Sequence, residues 1–192
     1  NICAAFMPLI QRVYPWRRWL IASNPFPNSF VHSTVTYREH IPQDLTESDI
    51  HDLIDLAYEA PGIRVFANDR KFGDIKGGGT SIPQHKHLQM VNFAFSIEAA
   101  ERKIIFRDRA VKQLGLDWRV KGVLWEGKDR EKLSQRIFGE YALLREQETP
   151  VNILAIRDEK DEKLMRVYLF PRGAGRMGLL GSLGAGTPEI SG

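Results

Sequence analysis

The chain has 192 residues, 43% of them apolar and 27% charged, with a formal net charge of +3 and a pI near 9.0. That is enough chain for one domain with a sizeable core, and its mild positive balance suits phosphate-bearing ligands better than a nucleic acid, for which it has no long block of like charge. Cys3 is the sole cysteine, which excludes an intrachain disulfide or a paired-cysteine zinc site and fits a reducing cytoplasm.

The first ten residues, Asn1 to Ile10, are apolar but lack an initiator Met and a basic leader, so the reading is of a chain that begins partway through a longer protein rather than of a secretory signal. No apolar run approaches the roughly 20 residues needed to span a bilayer, so no membrane partner is expected. Trp19 to Ala22 and Phe30 to Tyr37 read as extended segments on either side of the turn-rich Ser23-Asn24-Pro25-Phe26-Pro27-Asn28-Ser29. Thr46, with Asp49 three residues on, can cap a helix whose Ile50, Leu53, Ile54 and Ala57 form one stripe, and Pro61-Gly62 ends it.

Ile63 to Ala67 is a predicted strand, followed by a polar, glycine-rich loop from Asn68 to Thr80. Residues 84 to 96 are predicted as a long strand, with His85, His87, Gln89, Val91 and Phe93 on one face because side chains alternate. Arg102 to Phe106 reads as a short strand, and 128 to 147 as a helix with Leu133, Ile137, Tyr141 and Leu144 in a stripe. Val151 to Ile156 and Leu164 to Phe170 flank a charged turn and read as a hairpin. The residues from 172 to 192 read as a glycine-rich tail. Strands and helices in this order predict a single α+β domain over 1–192.

The chemistry concentrates at His85-Lys86-His87-Leu88-Gln89. An imidazole is a competent nucleophile near neutral pH once its other nitrogen is held by an acceptor. Just upstream, Gly77-Gly78-Gly79-Thr80-Ser81 offers backbone N–H groups and hydroxyls to an anion. Imidazoles beside a phosphate cradle suit phosphoryl or nucleotidyl transfer. Taken alone, His-x-His fits two further readings: a pair of structural strand histidines, or a metal site completed by His32, His40, Asp69 or Asp74. No ligand spacing supports the metal site, and none is expected.

The segment from Gly79 to Gln89 resembles the signature of the histidine-triad superfamily and, within it, the transferase branch. That branch contains galactose-1-phosphate uridylyltransferase, diadenosine polyphosphate phosphorylase (ATP adenylyltransferase) and GDP-hexose phosphorylase. Gln89 stands where the hydrolase branch carries a third histidine. The wording is most similar to the diadenosine polyphosphate phosphorylases, with one extra residue between the serine and the first histidine. Upstream, Asn24, Pro27, His32 and Tyr37-Arg38-Glu39-His40 are similar to the family's Asn-x-x-Pro, Gly-His and Pro-Lys-x-His stretches, with Val31 in place of the glycine. The likeness covers about residues 19 to 95.

The resemblance implies a histidine-triad-like antiparallel sheet with helices packed on it, and a two-step nucleotidyl transfer. His87 would attack an α-phosphate, His85 would orient the reacting group, and Gln89 would donate to a phosphoryl oxygen. Asn24, His32, Asn68, Gly78, Gly79, Thr80 and Ser81 would bind the nucleotide and its phosphates. Substrates would be a dinucleoside polyphosphate or nucleotide sugar, with phosphate or a sugar phosphate as acceptor. The only cofactor admitted is a divalent cation carried in with the nucleotide, and a homodimer is compatible with the family. A hydrolase of the same fold, or a non-catalytic nucleotide-binding module, is the alternative. Lys86 falls on the opposite strand face and is not expected at the phosphate. Arg17, Arg18, Arg38, Arg64, Lys71 and Lys76 flank the pocket segments, and most such charges are solvated faces.

Overall fold

The computed structural model describes residues 12–69, 80, 82–117 and 122–172. In chain order these form β1 Val13–Trp16, β2 Trp19–Ser23, β3 His32–Tyr37, α1 Glu47–Glu59, β4 Arg64–Asn68 and β5 His87–Val91. A short 3-10 turn at Ser96–Ala99 precedes β6 Glu101–Arg107, β7 Val111–Asp117, β8 Val123–Gly127, α2 Arg130–Glu146, β9 Val151–Arg157 and β10 Met165–Pro171. The strands join in one antiparallel sheet of order β1-β2-β3-β5-β4-β9-β10-β8-β7-β6. The α+β expectation therefore holds for the described residues.

Alternation along the strands gives the sheet two different faces. Leu88, Met90, Val65, Ala67, Ile153, Ala155, Val167 and Leu169 share a core with Ile50, Leu53, Ile54 and Ala57 of α1 and Leu133, Ile137 and Tyr141 of α2. Phe66, Val91, Leu154, Ile156, Tyr168 and Phe170 belong to a second cluster, closed by Phe95 and Ile97 from the segment that follows β5. On β5, Leu88 and Met90 thus face the helices, and His87 and Gln89 face away from them.

Local chemistry sets the helix ends. The Thr46 hydroxyl accepts from Asp49 N–H while the Asp49 carboxylate accepts from Thr46 N–H, closing a capping box on α1. Gly62 lies at φ +77° just past that helix, a conformation in which a side chain would be strained. Asp129 caps α2 by accepting from Lys132 N–H.

Several predicted boundaries need correction. The strand expected over 84–96 is only His87–Val91, because residues from Phe93 on leave the sheet and fold over its second face. His85 and Phe93 are consequently not strand residues. β1, β7 and β8 were not among the predicted strands, and β6 runs one residue further at each end than Arg102 to Phe106. β1 carries Pro15, which a strand tolerates at a sheet edge, where β1 lies. The two helices and the β9–β10 hairpin stand where expected. Among the described residues no helix is long and apolar enough to cross a membrane.

Candidate active site

β5 lies between β3 and β4, and its pairing assembles a polar row on the face turned away from the helices. His87 stands opposite Thr36, and Gln89 stands between Thr34 of β3 and Phe66 of β4. The β4–β5 ladder runs from Arg64↔Val91 to Phe66↔Gln89. Beyond it, the side-chain amide of Gln43 takes over. Gln43 Oε1 accepts from His87 N–H at 2.7 Å, while its Nε2 donates to His87 O at 2.9 Å and Asn68 O at 3.1 Å. Gln43 is fully buried. A side-chain amide thus acts as a one-residue piece of strand wedged between the two chains that carry His87 and Asn68.

The ring of His87 is held in one chemical form. Its Nδ1 lies 2.9 Å from the backbone oxygen of His85, which can only accept, so Nδ1 carries the hydrogen. In the neutral ring the lone pair then resides on Nε2. Burial pushes the imidazole below its ordinary value of 6.5, only partly opposed by the His85 carbonyl, so the ring is neutral at pH 7. The Thr80 hydroxyl sits 3.2 Å from Nε2, where it donates to the lone pair. Thr80 also anchors the approach to the site, because its N–H donates to Asp69 O at 2.7 Å.

Gln89 is oriented from the other side. The Nδ1 of His32 lies 3.2 Å from Asn28 N–H and accepts from it, so the hydrogen of the neutral His32 ring is on Nε2. That nitrogen lies 2.9 Å from Gln89 Oε1 and donates to it. The NH₂ end of Gln89 is left as the end able to donate to a ligand. Asn24 lies alongside, its Nδ2 3.2 Å from His32 Nε2 and donating to Thr34 Oγ1 at 3.0 Å. Phe26 and Phe30, 83% and 98% exposed, project from the same turn.

The other predicted residues fall as follows. His85 lies just ahead of β5, fully buried, with Nε2–H donating to Tyr37 O at 3.0 Å and its ring 4.8 Å from that of His40. It therefore does not continue the His87–Gln89 row, and its side chain braces the end of β3; its contribution to His87 is the carbonyl. Asn68 is buried at the end of β4. Gly78, Gly79 and Ser81 lie outside the described residues, as do Lys71, Asp74 and Lys76. Asp69, considered as a metal ligand, accepts from Arg145 at 2.7 Å and from the Tyr141 hydroxyl at 3.3 Å, which ties the rim of the site to α2. Lys86 lies on the helix side, 2.5 Å from Asp49. Arg17 and Arg18 are bound by α1 carboxylates and Arg64 by Glu98, so none of the three lines the row.

Gln43 is the residue the sequence did not disclose. Its neighbours Pro42 and Asp44 mark nothing more than a connection into α1, and its partners lie 25 and 44 positions away.

Comparison with known proteins bears on this arrangement. A family model described as "Domain of unknown function (DUF4922)" matches residues 1–92, a span that ends just past β5. No curated protein matches the chain. Among solved structures, that of yeast Ap4A phosphorylase Apa2 superposes with a TM-score of 0.52 at 17% identity, over 81% of this chain and 56% of the phosphorylase. The same enzyme in complex with Ap4A gives 0.50 at 17% identity, over 84% and 59%. Its complex with AMP gives 0.50 at 21% identity, over 87% and 63%. The chain shares the fold of that part of the phosphorylase. The chain spans less than two thirds of the phosphorylase.

Proposed function

We propose that the chain is a nucleotidyltransferase or phosphorylase that works through a covalent nucleotidyl-His87 intermediate. The observation that carries the reading is the state of His87: a neutral ring with Nδ1–H committed to the His85 carbonyl and its lone pair on Nε2, one strand step from an amide whose donor end is available. The shared fold with a phosphorylase crystallised with Ap4A and with AMP supports it.

In the first step His87 Nε2 forms a bond to the α-phosphorus as the bond to the leaving phosphate or polyphosphate breaks, the departing oxygen keeping the electron pair. The ring becomes an imidazolium, whose Nδ1–H bond to His85 O gains strength from the charge. Gln89 would donate to a non-bridging oxygen, and Thr80 would turn its hydroxyl from Nε2 to phosphate. In the second step an oxygen of phosphate or a sugar phosphate bonds to phosphorus, the N–P bond breaks, and neutral His87 returns. Donors of the dinucleoside polyphosphate or nucleotide-sugar class fit this scheme. A divalent cation would enter as a companion of the nucleotide's phosphates, since Asp69 at the rim is held by Arg145.

Incubation with α-³²P-labelled ATP, GTP, UTP and Ap4A tests the reading. An acid-labile, alkali-stable adduct is expected in the parent protein and lost in His87→Ala. Absence of adduct from every donor, or its survival in His87→Ala, overturns it.

A further inference from the structure

The last turns of α2 reach the rim of the site. Arg145 donates from Nη1 to Asp69 Oδ1 at 2.7 Å and from Nη2 to the Asp44 carboxylate. The Tyr141 hydroxyl accepts from Leu45 N–H at 3.3 Å and donates to the same Asp69 oxygen at 3.3 Å. Burial, and after it the Asp69 charge, push the Tyr141 phenol above its ordinary value of 10, so it remains a donor. Asp69 is fully buried, and the Arg145 side chain is 16% exposed. A buried ion pair adds little stability over apolar packing of the same volume, but its hydrogen bonds fix where both partners stand.

What Asp69 holds in turn bears on His87. Asp69 follows β4; its N–H donates to Val151 O at 3.0 Å, and its O accepts from Thr80 N–H at 2.7 Å. With its carboxylate pinned to α2 and its N–H to β9, Asp69 is a fixed anchor for Thr80. The buried Thr80 hydroxyl accepts from Ile82 N–H at 3.2 Å and has its one hydrogen to give to His87 Nε2, 3.2 Å away. A shift of the Thr80 backbone would carry that hydroxyl off Nε2 and away from the phosphate it is to meet.

We propose that Arg145, through Asp69, is a positioning residue for the transfer: it holds the Thr80 hydroxyl on His87 Nε2 and so aims it where the reacting phosphate must come. The inference rests on His87 being the transfer centre. It adds to that reading a side chain of the helix layer, which acts through two intervening residues. The competing role for Arg145 is to serve only the C-terminal end of α2 and its attachment to the sheet. That role gives an effect on the reaction independent of Thr80, whereas positioning gives an effect that vanishes once the Thr80 hydroxyl is gone.

The test is a double-mutant cycle on variants shown to be folded by urea unfolding, with adduct formation and the imidazole nitrogen as separate readouts. Thr80→Val keeps the shape and removes the hydroxyl; Arg145→Met keeps much of the stem and removes the guanidinium. Rapid quench with a labelled donor should show Thr80→Val slowing the His87 adduct about tenfold and Arg145→Met about fivefold, with little change in donor KM. The double variant should match Thr80→Val alone within about twofold, and Arg145→Lys should recover most of the loss. In protein labelled with ¹⁵N-histidine and assigned through His87→Gln, Thr80→Val should move the His87 Nε2 resonance toward that of an unbonded ring nitrogen. Arg145→Met should move it in the same direction. Should Arg145→Met fail to fold, Arg145→Met combined with Asp69→Leu, which removes the buried carboxylate with its partner, carries the same comparisons. Rate losses that multiply in the double variant, or an Nε2 resonance that Arg145→Met leaves in place, overturn the positioning. A parent protein that forms no adduct removes the catalytic reading, and the resonance then decides the positioning alone.

Discussion

His32 donates its Nε2–H to Gln89 Oε1 across 2.9 Å, and that bond decides which end of the Gln89 amide is presented to a ligand. The direction follows from the far side of the ring, where Nδ1 accepts from Asn28 N–H. With Oε1 committed, the NH₂ end is the one that would donate to a phosphoryl oxygen in the proposed transfer. His32→Phe keeps the ring's bulk and removes the donor. Nucleotidyl-histidine formation, followed by rapid quench with a labelled donor, should then slow about tenfold, the worth of one positioned hydrogen bond, with little change in donor KM. Gln89→Glu should slow it further, because a carboxylate would face the phosphate. Equal rates for Gln89→Glu and the parent would remove Gln89 from the mechanism.

The Gln43 wedge makes a different prediction, for stability. Gln43→Glu keeps an acceptor for His87 N–H but replaces the Nε2 donor by an oxygen facing two backbone carbonyls, those of His87 and Asn68. Leaving two buried acceptors unpaired beside a buried charge should cost about 3 kcal/mol or more in urea unfolding. A loss below about 1 kcal/mol would mean that the two strand ends hold together without the wedge.

These two residues also show what the sequence could carry. Period-two alternation was enough to put His87 and Gln89 on one face, because both lie inside β5 and alternation is a local property. It extended the row wrongly to His85, because a strand's end depends on its partners: Lys86 N–H pairs with Ile41 O, and the chain turns before it. The α1 capping box was legible, since Thr46 and Asp49 are neighbours in sequence. Gln43 was not, since its function is defined by two chains distant in sequence. β6 was legible as a strand, but not which way it faces: as an edge strand it leaves Ile104, Ile105 and Phe106 all exposed. His32 is expected from the resemblance as a nucleotide ligand; its contact with Gln89 joins residues 57 positions apart, which no local pattern displays.

The burial of His87 has a pH signature. Its folded-state imidazole is held below 6.5, and the proposed transfer uses the neutral form. Adduct formation should therefore stay constant as pH falls from 8 through 6.5 and decline only below the ordinary imidazole range. Stability moves in the same direction. Below about pH 6.5 the unfolded chain binds a proton at His87 that the folded chain refuses, so stability is lost as pH falls toward the folded-state value. His87→Gln lacks this group. Urea unfolding at pH 7.5 and 5.5 should show the parent losing more stability than the variant, and equal losses would contradict the depressed value.

Behind the active strand, Lys86 and Asp49 form an ion pair at 2.5 Å, with side chains 5% and 1% exposed. The same Asp49 oxygen accepts from the Thr46 backbone and hydroxyl, both at 2.8 Å, so the carboxylate both caps α1 and ties that helix to the start of β5. Lys86→Met keeps much of the stem's packing but leaves the buried carboxylate with only the longer, 3.5 Å ion pair to Arg18, and should cost about 3 kcal/mol in urea unfolding. Lys86→Met combined with Asp49→Asn removes the charge as well, and should cost clearly less than the two single changes added together, because Asp49→Asn alone leaves the buried ammonium without its carboxylate and Lys86→Met alone leaves the carboxylate only Arg18. Lys86 projects to the helix side, away from the row on which His87 and Gln89 lie, so adduct formation at His87 should proceed at the parent rate under conditions where Lys86→Met is fully folded. Strict additivity of the two substitutions would show that the pair is not coupled, and a slowed adduct in the folded variant would show that the helix side of β5 communicates with His87.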